Sequence, residues 1–174
     1  MSPALSPAKA DRLYWLGRYV QRALASAPGT PDLLDASSPV SLMFNLSRAY
    51  ENGFMLRDLL DNDVFSYLRM ASTKSATLTG GDYLVVREVH DALYAFWGIV
   101  EEALFPEAAA LCRWGRFLEL WETRSVQGKG PQAEAAWDEL VRCWGVLRVG
   151  QPEGRTVEAV EAWFGKCYGE GVPG

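Results

Sequence analysis

Leu42-Met43-Phe44-Asn45-Leu46-Ser47-Arg48-Ala49-Tyr50-Glu51-Asn52-Gly53-Phe54-Met55-Leu56-Arg57-Asp58-Leu59-Leu60 is the stretch that decides the fold class. Leu42, Leu46, Ala49, Gly53, Leu56 and Leu60 recur at alternating spacings of four and three, which lines them along one side of an α-helix. A strand would instead alternate apolar and polar residues at every second position. Phe44 and Met55 fall on the far side, so the pattern predicts a central helix with neighbours on both faces. Ser38-Pro39 predicts its start, because a Ser side chain caps the first free amides and Pro fits the first turn.

Helical patterning extends in both directions from there. Upstream, Ser6-Pro7 opens a helix running to about Ser26, with Leu13, Leu16, Gly17, Val20 and Leu24 as its stripe. Pro28-Gly29-Thr30-Pro31 breaks it. Downstream, Asp61-Asn62-Asp63 caps a third helix ending near Ser75, and Thr79-Gly80-Gly81 precedes a long helix from Asp82 to Phe105. Pro106 opens a fifth to about Val126, so the fourth and fifth helices are expected to meet at a sharp bend. Gly128-Lys129-Gly130-Pro131 separates a sixth over Gln132 to Arg148. Gly150-Gln151-Pro152-Glu153-Gly154 breaks again, Thr156 caps a short last helix through Tyr168, and the tail 169–174 is expected to fray. No hairpin signal appears. The prediction is an all-α fold: a compact bundle of about seven helices in one domain over residues 1–174.

Composition narrows the function classes. Of 174 residues, 49% are hydrophobic and 22% charged, enough apolar material for one sizeable core. The net charge of -5 argues against a nucleic-acid binder, which carries a basic excess. In the first helix no apolar run exceeds Leu13 to Gly17, too short for a signal-peptide core. No segment approaches the roughly 20 apolar residues of a membrane span, so no membrane partner is expected. Cys112, Cys143 and Cys167 are odd in number, widely spaced and without a CxxC, and read as reduced thiols of a cytoplasmic protein.

His90 is the only histidine, which rules out a two-His zinc site and the paired Glu-x-x-His motifs of di-iron bundles. It reads as structural. Gly80-Gly81 lacks the Gly-Lys-Ser ending of a phosphate-binding loop, and there is no GxGxxG, so no cofactor is expected. Seven tryptophans sit at helical spacing and read mostly as core, with Trp121 and Trp137 as candidates for a partner-facing surface.

One pattern occurs twice. Leu16-Gly17-Arg18-Tyr19-Val20-Gln21 is echoed by Trp114-Gly115-Arg116-Phe117-Leu118-Glu119: apolar, Gly, Arg, aromatic, aliphatic, then a carboxylate or its amide. Each Gly admits a neighbouring helix, and each Arg shares a helix face with the residue three positions on. The separation of 98 positions (17 to 115) is too long for a solenoid and fits a duplicated unit.

These residues resemble the bacterial alpha-E family, a helical domain named for a Glu-Arg motif. The family's opening is similar to Asp11-Arg12-Leu13-Tyr14-Trp15-Leu16-Gly17-Arg18-Tyr19-Val20-Gln21-Arg22, with Gln21 where the family has Glu. A central family segment resembles Ser41, Leu46, Ala49, Glu51 and Asn52 here, with Arg57 downstream. The later copy is similar to Trp114 through Glu119, with Leu120 where the family has Arg. The resemblance covers about residues 9–125. It implies a domain found fused to, or encoded beside, circularly permuted ATP-grasp proteins and transglutaminase-like proteases, which are the partners to expect. That company implies a part in making or processing an amide-linked peptide.

The candidate site is a polar cluster between helices, drawn from Arg18, Gln21, Arg22, Glu51, Asn52, Arg116 and Glu119. Arg18, Glu51, Arg116 and Glu119 are expected to converge between helices 1, 2 and 5. Arg48 and Glu51 fall between Phe44 and Met55, where a solvated charge is out of place if the helix is central. One reading is a pocket that grips a carboxylate or phosphate through bidentate Arg contacts. The other is a set of inter-helix salt bridges, which buried charges require. Glu122, on the apolar side of its helix, reads as a raised-pKa proton donor or as the partner of an Arg. With no nucleophile motif such as Gly-x-Ser-x-Gly beside the lone His, a non-catalytic helical adaptor is favoured. An enzyme of the same pathway using the Arg/Glu cluster and a degenerate member kept for protein interaction are the alternatives.

Overall fold

The computed structural model describes residues 5–26, 33–78, 83–126, 130–147 and 157–168, with their side chains except those at 124–126, 130, 144, 157 and 164–168. Within these residues the chain forms α1 (Pro7–Ala25), α2 (Leu42–Met55), α3 (Asn62–Ser75), α4 (Tyr83–Ala103), α5 (Pro106–Val126), α6 (Gly130–Leu147) and α7 (Val157–Tyr168), and no strand. The all-α class is as expected. The breaks at 28–31, 79–81 and 150–154, the Thr156 cap, the tail 169–174 and the side chains of Cys167 and Trp144 lie outside the described residues.

α1 starts where Ser6-Pro7 signals it, the Ser6 hydroxyl accepting from the Lys9 amide at 3.2 Å. α3 starts at Asp61, whose carboxylate accepts from the Val64 amide at 2.9 Å. α2 departs from expectation. Its cap is Ser41, which accepts from the Phe44 amide at 2.9 Å, and Ser38-Pro39 lies in the preceding turns. The Ser41 hydroxyl also donates to the Asp35 carbonyl at 2.6 Å, tying those turns to the cap instead of extending them into helix. The helix ends at Met55, short of Leu60, yet the turn that follows still carries Leu56 and Leu60 into the core. α4 and α5 meet across Leu104 and Phe105 alone, the sharp bend that Pro106 allows.

The centre of the bundle is α1. It packs against α2, α4, α5 and α7, and Ala10, Leu13, Leu16, Val20 and Ala23 are fully buried. α2 packs on α1 and α3 through Leu42, Leu46, Ala49 and Gly53, but its other side is open, with Phe54 and Met55 exposed. This corrects the expectation of a helix covered on both faces. A seam tells which side of a helix is buried and nothing about the opposite side.

The closest joint is between α1 and α5. A Cβ added at Gly17 would stand 1.9 Å from the Cys112 carbonyl oxygen and 3.0 Å from the Arg116 nitrogen. One added at Gly115 would stand 2.0 Å from the Tyr14 oxygen and 3.0 Å from the Arg18 nitrogen. Each contact is the other displaced by 98 positions (14 to 112, 17 to 115, 18 to 116), so the helices cross about a local two-fold axis. Backbone meets backbone there, and only hydrogen fits between.

Other elements close round this cross. The His90 ring on α4 lies with Nε2 3.1 Å from the Ala23 carbonyl near the end of α1; a carbonyl only accepts, so Nε2 carries the proton. Burial pushes the His90 pKa down, partly offset by that bond. The bond ties α4 to the end of α1. Trp114 stacks on Trp163 of α7 at 4.4 Å, and Trp121 packs on Trp137 of α6 at 5.0 Å. Trp121 and Trp137 are both buried, which corrects the idea that they face a partner: each finds its apolar neighbour in the other. Cys112 and Cys143 are buried free thiols, and burial raises both, Cys143 to about 11. Among the described residues no helix is long and apolar enough to cross a membrane.

The crossing makes a direct prediction about glycines. Gly17→Ala or Gly115→Ala forces α1 and α5 apart and should cost roughly 3 kcal/mol, the upper end of over-packing penalties. The double variant should cost less than the sum, because one separation relieves both clashes. At Gly98 and Gly145 an added methyl would meet open space, so Gly98→Ala and Gly145→Ala should each gain about 0.5–1 kcal/mol. Urea unfolding of the five variants checks all of this.

Candidate functional site

Tyr14, Arg18 and Arg22 recur every four residues and therefore share one face of α1. Glu119 and Glu122 present the same relation on α5 at a spacing of three, and the two-fold crossing brings the two faces together. Arg18 is the hub. Its side chain is 4% exposed, and its Nε donates to Glu119 Oε1 at 3.1 Å. Nη1 donates to the Tyr14 hydroxyl at 2.8 Å and to Glu161 Oε1 of α7 at 3.2 Å, while Nη2 donates to Glu122 Oε2 at 2.8 Å. Arg22 Nε donates to the same Glu119 oxygen at 2.7 Å. The guanidiniums of Arg18 and Arg22 lie 5.0 Å and 5.7 Å from the centre of the Trp15 ring, so the indole floors the cluster.

The electrostatics follow from burial and pairing. Burial works to lower the Arg18 pKa, but the Tyr14 phenol and the Glu119 carboxylate outweigh it and leave the guanidinium raised. Burial pushes the Tyr14 phenol up to about 12 against the opposing pull of Arg18. Glu119 is 13% exposed and carries the pairing, whereas Glu122 and Glu161 stand half in solvent, where screening weakens an ion pair.

The expected convergence is thus partly realised. Arg18, Arg22 and Glu119 meet, and Glu122 pairs with an Arg. Glu51 does not join them. It is 65% exposed and pairs along its own helix with Arg48 at 3.6 Å, because the far side of α2 is open to water. Asn52 accepts from Arg12 of α1 at 3.1 Å, a separate α1–α2 tie. Arg116 lies away from the cluster, over the rings of Trp97 and Phe117 at 4.9 Å and 5.2 Å, because the same two-fold that joins the helices points the two Arg residues to opposite sides. Gln21 is half-buried on α1. Glu161 was not foreseen, since it arrives from a helix 143 positions from Arg18 and belongs to no repeated motif. Tyr14 was also missed, although its four-residue spacing from Arg18 carries the signal. Among the described residues no three of His, Cys, Asp or Glu gather as a metal-ligand set.

Two outcomes test this cluster. Arg18→Met strips the buried partner from Glu119 and should cost about 3–5 kcal/mol in urea unfolding. The Tyr14 phenol ionises near 10.0 when unfolded and near 12 when folded, so its contribution is complete below pH 10 and fades as pH climbs from 10 through 12. Tyr14→Phe should remove that alkaline loss, and should cost about 1.5–3 kcal/mol at neutral pH through the lost bond to a charged donor.

Comparison with curated proteins and with solved structures finds no match. One family does match, described as a predicted alpha-helical domain with a conserved ER motif, over residues 32–146. The match runs through α2 to α6 and therefore includes Glu119, whose neighbour Leu120 leaves no Glu-Arg pair in that copy. Since it covers well over half of the sequence, the chain belongs to the Alpha-E family.

Proposed function

We propose that this chain is a non-catalytic helical accessory domain that works beside an ATP-grasp amide ligase, or beside the peptide that such a ligase makes. The observation that carries the reading is the saturation of Arg18. Four of its five N–H donors already serve acceptors of the chain itself, and Glu119 is held by two guanidiniums at once. A group that grips a substrate carboxylate must have donors to offer, and a general base must have a lone pair facing its proton. Arg18 has one N–H left, and the Glu119 oxygen nearest the two guanidiniums already accepts from both. These contacts lock α1, α5 and α7 into one body, and a rigid body of this kind suits a docking role. The ligase as partner rests on the family's usual company, with a transglutaminase-like protease as the second candidate.

The experiment is co-expression with a circularly permuted ATP-grasp protein of the same genome. Co-elution in size exclusion, together with ligase turnover that rises with added chain and is unchanged by Glu122→Gln, is the expected result. Turnover by the chain alone that Glu122→Gln abolishes would overturn the reading and make this an enzyme.

A further inference from the structure

The two-fold cross of α1 and α5 builds two equivalent half-sites, and only one of them is filled. On the filled side, Arg18 Nε donates to Glu119 Oε1 at 3.1 Å. The operation that carries Arg18 to Arg116 (18 to 116) carries position 21 to Glu119 (21 to 119), so by that symmetry Gln21 occupies the position equivalent to Glu119. The next pair follows the same rule. Arg22, which braces Glu119 at 2.7 Å, has Leu120 as its counterpart. The cross-helix pair Glu119 and Arg22 thus has two neutral residues, Gln21 and Leu120, as its counterpart on the other side of the axis. The consequence is visible at the equivalent atom: Arg116 Nε is buried and has no hydrogen-bond partner among the described residues.

The surroundings keep the character of an anion seat. The Arg116 guanidinium lies on the faces of Trp97 and Phe117, much as Arg18 lies on Trp15. Trp97 is itself buried, and its indole N–H is a second buried donor with no partner among the described residues. Arg113, one turn away, pairs with Glu101 of α4 at 2.6 Å and Glu139 of α6 at 2.9 Å, and Glu139 acts on Arg116 only through its longer-range field, which opposes the fall of the Arg116 pKa. Burial, with Arg113 next, lowers the Arg116 pKa, the opposite of the outcome at Arg18. A buried donor without an acceptor is costly, while the Arg116 side chain as a whole is only partly buried, which leaves its outer end within reach of an external group.

We propose that the face of α4 and α5 around Arg116 is a binding seat for one carboxylate, taking in from outside the group that Gln21 does not supply. The seat is independent of the adaptor reading and stands or falls on its own. The carboxylate is that of a small organic acid or of an acidic side chain on a peptide, and the guanidinium offers the same chemistry to both.

The test follows the arginine Nε–Hε resonances of the full chain by nitrogen-15 NMR. Arg116 is assigned by its absence in Arg116→Lys and, should that variant not fold, by its displacement in Gln21→Glu. With sodium acetate the Arg116 resonance should shift and saturate, whereas sodium chloride at equal ionic strength should leave it in place. Gln21→Glu should reproduce the shift without acetate and abolish the response to it, since the chain then carries its own carboxylate. A blocked Ala-Glu-Ala tripeptide saturating at lower concentration than acetate assigns the seat to a peptide side chain, and saturation at equal concentration assigns it to small acids. No saturable shift, an equal shift with chloride, or a Gln21→Glu variant that responds like the parent would overturn the proposal.

Discussion

Backbone contact at one point governs this molecule. At Gly17 and Gly115 α1 and α5 approach until each glycine lies against the carbonyl of the other helix, with no room for a methyl group. Helix pairs separated by ordinary side chains stand 8–10 Å apart, and a closer crossing demands glycine on both partners. Everything charged in the centre depends on that approach. Arg18 reaches Glu119 and Glu122 because the helices are close, and the buried Leu13, Leu16, Leu111, Trp114 and Leu118 form one core for the same reason. The other helices then pack round the pair, with His90 holding the end of α1 from α4 and Trp163 lying on Trp114 from α7.

The cross also explains why two nearly identical motifs have different fates. A two-fold axis makes Arg18 and Arg116 equivalent in backbone position, but it cannot make their partners equivalent. Arg18 is clamped by Glu119; Arg116, whose symmetry partner for that role would be Gln21, lies on aromatic rings instead. In the first, the guanidinium is held by groups of the chain itself. The second leaves a donor without an acceptor, and buried polar groups in that condition are where ligands are to be sought.

Much of the fold was legible because local rules wrote it. Ser6-Pro7, Asp61 and Pro106 mark helix ends through capping and ring geometry that need no knowledge of the rest of the chain. The repeat of Gly-Arg-aromatic marks two places where a neighbouring helix comes close; that the two meet each other is what the structure adds. What failed was non-local. The stripe on α2 named its buried side, but whether Met55 and Glu51 met solvent depended on where α4 and α5 went. Ser38-Pro39 reads as the start of α2, but Ser41 is its cap, and the tie of Ser41 to the Asp35 carbonyl holds the preceding residues in turns. Trp121 and Trp137 cover each other from different helices, a pairing that no single stripe reveals. Glu161 completes the Arg18 cluster from α7, beyond the reach of any spacing rule.

Native-state hydrogen exchange tests the central role of the crossing most directly. If the glycine joint organises the bundle, amides of α1 and α5 on either side of Gly17 and Gly115 share the slowest exchange and open only with global unfolding. The α3–α4 pair and α7 then exchange through smaller, earlier openings. Should amides of α3 and α4 stay protected while those of α1 and α5 exchange, the crossing is a consequence of the packing and not its foundation.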